Sequence, residues 1–115
     1  MTITLYHNPG CGTSRKTLEL IRGAGHEPLV IEYLKTGWTR AVLQDILAKL
    51  GLRPRDILRV RGTAAEALGL LAVTATDEMI LNAMIADPIL VERPIVISPK
   101  GARLCRPQDQ VLGIL

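Results

Sequence analysis

A strand, a helix and a second strand are predicted in the first third of the chain, and this order constrains the fold more than any other feature. Ile3–Tyr6 is short, apolar and rich in strand-forming residues. Apolar residues at helical spacing follow and stop at Gly25, and Leu29–Tyr33 then predicts a second, mostly buried strand. Such a βαβ unit requires parallel strands and a right-handed crossover, which predicts an α/β fold.

A cysteine between two glycines lies in the loop that joins the first strand to the helix. Cys11 follows Gly10 and precedes Gly12, with His7 before it and Arg15 after it at equal spacing. Two potential cations and the N-terminus of a helix all stabilise a thiolate, so we predict a pKa for Cys11 below the value of a free thiol. The alternative is an inert buried cysteine, which glycine and basic neighbours make less common.

The loop lacks the second thiol of a Cys-x-x-Cys redox pair, because Ser14 stands in that position. A resolving thiol would therefore come from another molecule. Ser14 or Thr13 can cap the helix, and Ser14 could instead bond the sulfur, with capping the favoured interpretation. The other cysteine, Cys105, falls at the end of a predicted strand and is expected to be a packing residue. No zinc-like ligand spacing is present in the sequence.

The middle of the chain, about residues 39–88, is predicted to be a helical insertion. Thr39 and Thr76 are expected N-caps, and Thr63–Glu66 has the form of a capping box. Four helices are predicted there, bounded by residues 39–51, 54–59, 63–69 and 76–87.

Two further strands and a last helix are predicted after the insertion. Pro94–Ile97 and Ala102–Cys105 flank a turn sequence, so they should pair antiparallel. Pro107 suits the first position of a terminal helix that carries Val111 and Leu112. We expect the 115 residues to form a single domain.

The composition excludes several classes of protein. The net charge of +3 comes without a long basic run, and three aromatic residues are too few for base stacking, so nucleic acid is not an expected partner. No apolar run has the length of a membrane span, and two cysteines are too few for a disulfide framework. A cytoplasmic location is therefore expected.

Three arginines lie where ligand-binding residues are often found. Arg93 precedes Pro94 at the start of a strand, Arg106 follows a strand, and Arg59 lies in a basic cluster. Each alone is more often a solvated surface residue, and spacing does not show that they converge. The remaining arginines of the cluster, at positions 53, 55 and 61, are assigned to the surface.

Four segments carry a resemblance to a known family: His7–Arg15, Ile57–Arg59, Glu92–Val96 and Arg103–Pro107. Because of these segments, residues Ile3 to Leu112 of this chain resemble the glutaredoxin-coupled arsenate reductase family. The resemblance implies a thioredoxin-like fold, in which a mixed four-stranded sheet carries the helical insertion between its second and third strands. It also implies a cis peptide bond before Pro94.

The resemblance assigns roles to single residues. Cys11 would attack arsenate, while Arg59, Arg93 and Arg106 would hold the oxyanion, for which the forked and permanently charged guanidinium is well suited. Supporting roles toward the thiolate or oxyanion would fall to His7, Gly12, Ser14 and Arg15. No bound cofactor or metal is implied. Glutathione would be the co-substrate and glutaredoxin the reductant, so that the resolving thiols are external.

Two alternatives remain open, and the chain also departs from the family in one place. Cys11 alone would suffice for exchange with glutathione mixed disulfides. An Spx-type regulator, which contacts RNA polymerase, is less favoured because such proteins usually carry Cys-x-x-Cys.

The departure is Val60-Arg61-Gly62, where relatives often have an asparagine-containing stretch after the position of Arg59.

Overall fold

The structure is a computed structural model that describes residues 2–115. The chain divides into two compact units. The first contains the residues up to Thr36 together with Arg93–Leu115, and the second contains Gly37–Glu92. The predicted insertion falls within the second unit.

The first unit is built on a four-stranded sheet with the order β2-β1-β3-β4. Its strands are β1 (Thr4–His7), β2 (Leu29–Glu32), β3 (Ile95–Ser98) and β4 (Gly101–Leu104). β1 pairs parallel with β2 and antiparallel with β3, and β3 pairs antiparallel with β4. This confirms the mixed four-stranded sheet of the predicted fold class.

Helices of the first unit connect and follow these strands. α1 (Gly12–Gly23) joins β1 to β2, α2 (Tyr33–Thr36) follows β2, and a 3-10 helix occupies Gln108–Ile114. α1 packs against this terminal 3-10 helix. A buried core lies among these elements and includes Cys105, as expected for a packing residue. The other buried members of this core are Ile3, Leu5, Ile21, Val96, Val111 and Ile114.

The second unit is helical. It contains α3 (Arg40–Leu50), a 3-10 helix (Pro54–Ile57), α4 (Asp77–Ala86) and a 3-10 helix (Pro88–Leu90). The two predicted N-caps are confirmed, because Thr39 accepts from the Val42 N–H and Thr76 accepts from the Met79 N–H. Gly51 ends α3 with φ of +68°, a left-handed conformation that suits glycine.

The predicted helix at residues 63–69 is wrong, because that segment consists of turns. The Thr63 hydroxyl donates back to the carbonyl of Arg59 at 2.7 Å and accepts from the Ala65 N–H at 3.3 Å. It therefore does not bond the N–H three residues later, as a capping box requires.

Three details of the first unit also differ from expectation. β2 is not mostly buried, since it lies at the edge of the sheet and Leu29 is 58% exposed. Tyr33 begins α2 instead of ending the strand. The terminal helix is 3-10, so its buried pair is Val111 and Ile114 at spacing i, i+3, and Leu112 is exposed.

Two peptide bonds are cis. The bond between Arg93 and Pro94 is cis, as predicted, and so is the bond between Arg106 and Pro107, which was not predicted. Among residues 2–115, no helix combines the length and the apolar character needed to cross a bilayer.

Candidate active site

Cys11 itself is the N-cap of α1, beyond the carboxyl end of β1. Its backbone N–H donates to the Asn8 carbonyl at 3.0 Å, and its residue surface is 8% exposed. Thr13 and Ser14 lie within the first turn of α1, so the prediction that either caps the helix is wrong. The thiol therefore meets the free N–H groups at the start of the helix.

Asn8 shapes the loop before the cysteine. Its Oδ1 accepts from the Gly10 N–H at 2.9 Å, and its own N–H donates to the Ser14 Oγ at 3.1 Å. These bonds fold the Asn-Pro-Gly segment into an Asx turn that leads to Cys11. Asn8 was not among the predicted site residues, although asparagine followed by proline and glycine is a turn signal.

Ser14 is fully buried, and its hydroxyl joins the loop to β1. The Ser14 Oγ lies 2.6 Å from Nδ1 of His7, in addition to accepting from Asn8. Its side chain is therefore a brace within the loop, which neither of the two predicted interpretations described.

His7 differs from its expected role as a cation. Burial lowers the pKa of His7, and the positive charges of Arg15 and Arg22 lower it further. The negative charge of Glu32 raises this pKa, but by less than the three other effects together lower it. A lowered pKa leaves the imidazole neutral at pH 7. The structure therefore gives His7 a hydrogen-bonding function toward Ser14.

The pKa of Cys11 is lowered, in agreement with the prediction. The helix start contributes as expected, but the cation that lowers the pKa is Arg93, not His7 or Arg15. Burial alone raises the pKa of this thiol. Hydrogen bonds from the Arg93 guanidinium and from the backbone N–H groups of Ser14 and Thr13, with the positive charge of Arg93, outweigh burial. The thiolate is thus stabilised by Arg93 and the helix start.

Arg106 approaches the same sulfur. Its Nη1 lies 3.9 Å from the Cys11 Sγ and donates to the Arg93 carbonyl at 3.1 Å. Arg93 and Arg106, which are distant from Cys11 in the sequence, therefore lie together at the thiol.

Two nitrogens of Arg93 are available for a ligand. Its Nε and Nη1 are buried and have no hydrogen-bond partner among the described residues. Buried donors without partners are rare in folded proteins and mark a place where an acceptor can bind. An anion beside Cys11 would supply that acceptor.

Arg15 and Gly12 occupy different surroundings. Nη1 of Arg15 donates to the Pro9 carbonyl at 2.8 Å, so its guanidinium braces the loop. Gly12 is exposed at the first position of α1, and a Cβ there would meet only the Arg15 side chain, at 3.7 Å. The N–H groups that reach the sulfur are those of the next two residues.

Arg59 belongs to the second unit and has an acidic partner. Its Nη1 lies 2.9 Å from Oε1 of Glu92, and its Nε donates to the Arg61 carbonyl at 3.1 Å. The backbone supports this pair, because Leu58 and Val91 form an antiparallel bridge. Glu92 was not predicted as a partner of Arg59, because no local pattern in the sequence indicates this contact.

The arrangement in the first unit can perform nucleophilic chemistry on an anion. A thiolate is a strong nucleophile, and two guanidinium groups beside it can neutralise a negatively charged electrophile. Within residues 2–115, no group of three or more His, Cys, Asp or Glu side chains could hold a metal ion.

Comparisons with known proteins agree with this chemistry. The model of the ArsC family matches residues 6–114. An arsenate reductase of Rhizobium meliloti is 52% identical over 115 residues, covering 100% of this chain and 82% of the relative. The arsenate reductase of Escherichia coli K12 is 50% identical over 113 residues, covering 98% of this chain and 80% of the relative. The solved structure of an arsenate reductase from Vibrio cholerae superimposes with a TM-score of 0.95 at 39% identity, covering 100% of this chain and 98% of the other.

Proposed function

Because this chain belongs to the ArsC family, we propose that it reduces arsenate to arsenite, with the Cys11 thiolate as the nucleophile. The observation that best supports the proposal is that the Cys11 thiol, at the start of α1, has a lowered pKa and lies beside Arg93 and Arg106. Arsenate is an oxyanion with an electrophilic centre, which is the substrate that such a pairing suits.

The proposed reaction moves two electrons to arsenic. Cys11 Sγ attacks arsenate, an arsenic–sulfur bond forms, and water leaves. The thiol of glutathione adds in the same way and releases a second water. A thiolate of glutaredoxin then attacks the glutathione sulfur, and a disulfide forms. The electron pair of the broken bond remains on arsenic, and hydrolysis releases arsenite and Cys11.

Arginines would hold the oxygens through these steps. The unpaired Nε and Nη1 of Arg93 would donate to arsenate, and Arg106, whose Nη1 lies 3.9 Å from the Cys11 Sγ, would add a second positive charge. Arg59 is proposed as the third arginine on the basis of the family resemblance. Its guanidinium would then have to exchange part of its interaction with Glu92 for the oxyanion.

External thiols are proposed because the chain offers no suitable internal one. Burial raises the pKa of Cys105 to about 12, so this thiol stays protonated and is a poor nucleophile. Glutathione and glutaredoxin would therefore supply both electrons, and the reducing cytoplasm would be the compartment.

The proposal is tested by arsenate-dependent oxidation of NADPH in a mixture of glutathione, glutaredoxin and glutathione reductase. We expect turnover that requires both arsenate and Cys11, with Cys11→Ser as the folded but inactive control. Activity retained in Cys11→Ser, or no arsenate-dependent oxidation by the wild-type protein, would overturn the proposal.

Exchange with glutathione mixed disulfides is the second candidate. The lowered pKa of Cys11 favours it, because this reaction needs the thiolate but no site for an oxyanion. The two activities separate in Arg106→Ala. Arsenate reduction should fall sharply in this variant, whereas disulfide exchange should persist, because the main stabilisation of the thiolate comes from Arg93 and the backbone.

A further inference from the structure

A cavity of about 350 Å³ lies in the first unit, outside the residues assigned above. Three of its lining residues, Lys16, Glu19 and Leu20, belong to α1, and the fourth, Gln108, begins the terminal 3-10 helix. Lys16 and Glu19 are exposed, whereas Leu20 and Gln108 are partly buried. The lining thus combines two exposed charged side chains with a partly buried apolar side chain and a partly buried amide side chain.

The two elements that line the cavity begin close in the sequence to Cys11 and to Arg106, respectively. Cys11 is the N-cap of α1, and at about 1.5 Å per residue Lys16 lies about 7 Å further along the helix axis. On the other wall, Gln108 lies two residues after Arg106, whose Nη1 is 3.9 Å from the Cys11 Sγ. A ligand of peptide size in the cavity can therefore extend to Cys11.

The charges of the cavity specify the ligand class. An ammonium from Lys16 and a carboxylate from Glu19 lie on adjacent turns of one helix face. A zwitterionic amino-acid group, which carries a carboxylate and an ammonium on one carbon, complements both charges. The γ-glutamyl end of glutathione is such a group. The thiol of glutathione is on its middle residue, so two residues of about 3.5 Å each, about 7 Å in total, separate the γ-glutamyl end from the thiol, which matches the rise between Lys16 and Cys11.

We propose that this cavity binds the γ-glutamyl end of glutathione, with its carboxylate on Lys16 and its ammonium on Glu19, and directs its thiol toward Cys11. Gln108 then bonds the γ-glutamyl amide, and Leu20 packs against the methylene groups. The inference rests on the proposed function in taking glutathione as the co-substrate.

The test uses disulfide exchange without arsenate. The Cys11 thiolate attacks one sulfur of oxidised glutathione, forming a mixed disulfide on Cys11 and releasing one glutathione thiolate. The mixed disulfide raises the mass of the full-length protein, and mass spectrometry gives the rate at which it forms. This rate is divided by the rate of the same reaction with uncharged 2-hydroxyethyl disulfide. The ratio removes any change in the reactivity of the thiol itself.

Lys16→Glu and Glu19→Lys should each lower this ratio by about threefold, the effect of losing one exposed charge pair. The second variant is decisive, because oxidised glutathione is an anion. If the anion were attracted only by the overall positive charge of the protein, exchange would be faster in Glu19→Lys. If Glu19 binds the ammonium of glutathione, exchange is slower in this variant. Lys16→Arg should recover the ratio lost in Lys16→Glu.

Lys49→Glu is the matched control for Lys16→Glu, since it makes the same change of charge on α3 and lies outside the cavity. Its ratio should equal that of the wild-type protein. A ratio that is unchanged in both cavity variants, or that rises in Glu19→Lys, would overturn the inference. Failure of arsenate reduction by the wild-type protein would be a separate result, because arsenate takes no part in this assay.

Discussion

The two cysteines of this chain differ because of the groups that surround them. Cys11 is buried, but it meets Arg93 and the N–H groups of a helix start, so its pKa falls. Cys105 is fully buried in the core of the first unit, and burial raises its pKa to about 12. The nearby charge of Arg103 opposes this rise only in part. Reactivity is therefore decided by donors beside the sulfur and not by burial alone.

Arg93 should be the most sensitive position of the candidate site. Arg93→Lys keeps a charge but loses the forked donor, so we expect kcat/KM for arsenate to fall by about tenfold or more. Arg93→Ala should also raise the pKa of Cys11, and the pH dependence of alkylation by iodoacetamide measures this shift. An unchanged alkylation profile in Arg93→Ala would contradict the interaction between the guanidinium and the thiolate.

His7 should act through its contact with Ser14 and not through a positive charge. In His7→Asn the shorter amide can still reach the Ser14 hydroxyl, so the pKa of Cys11 should stay close to the wild-type value. His7→Ala leaves the buried hydroxyl without this contact, and we expect the free energy of unfolding to fall by about 1–3 kcal/mol. Alkylation profiles and urea unfolding of both variants provide the measurements. If His7→Asn raised the pKa of Cys11 as much as His7→Ala, a cationic imidazole would be the better account.

At the scale of elements, local signals predicted those parts whose cause is local. α3 and α4 begin where a threonine caps them, and α3 ends at the glycine with positive φ. The predicted helix at residues 63–69 failed because the Thr63 hydroxyl has a competing partner in the Arg59 carbonyl. The exposure of β2 follows from its place at the sheet edge, which depends on the order of all four strands.

The same distinction holds for the candidate site. The loop around Cys11 could be identified from its own residues, and Arg93 and Arg106 were singled out by their places at the ends of strands. Their approach to Cys11 depends on the pairing of β1, β3 and β4, which no spacing in the sequence gives. The partnership of Arg59 with Glu92 is likewise a contact between distant segments.

The two capping threonines should contribute comparably to stability. Thr39→Ala and Thr76→Ala each remove a side-chain acceptor from a helix N-terminus, so each should lower the free energy of unfolding by about 1 kcal/mol. Thr39→Ser and Thr76→Ser keep the oxygen and should lose little. Urea unfolding of the four variants tests this, and equal losses for serine and alanine would mean that the methyl group, not the cap, matters.

At the scale of the whole molecule, the two thiols and His7 link stability to pH. The pKa values of His7 and Cys11 are lowered by folding, so the folded state binds fewer protons at these residues than the unfolded state does. The free energy of unfolding therefore rises with pH while these two groups titrate, up to the pKa of a free thiol at about 8.5. Above that, an unfolded chain loses the Cys105 proton while the folded chain keeps it. The free energy of unfolding then falls with pH, and this fall continues until the pH approaches the pKa of Cys105 in the folded protein, about 12.

Cys105→Ala should remove this alkaline loss. A thiol that ionises only on unfolding costs about 1.4 kcal/mol per pH unit, so between pH 8 and pH 10 the wild-type protein should lose about 2 kcal/mol that the variant keeps. The variant starts lower at pH 8, by roughly 1 kcal/mol, because it packs less volume in the core. Urea unfolding under reducing conditions at both pH values gives the two differences, and lysines and tyrosines cancel because both proteins contain them. A gap between wild type and variant that stays constant from pH 8 to pH 10 would mean that Cys105 ionises in the folded protein, and its burial would then not be what keeps it from serving as a resolving thiol.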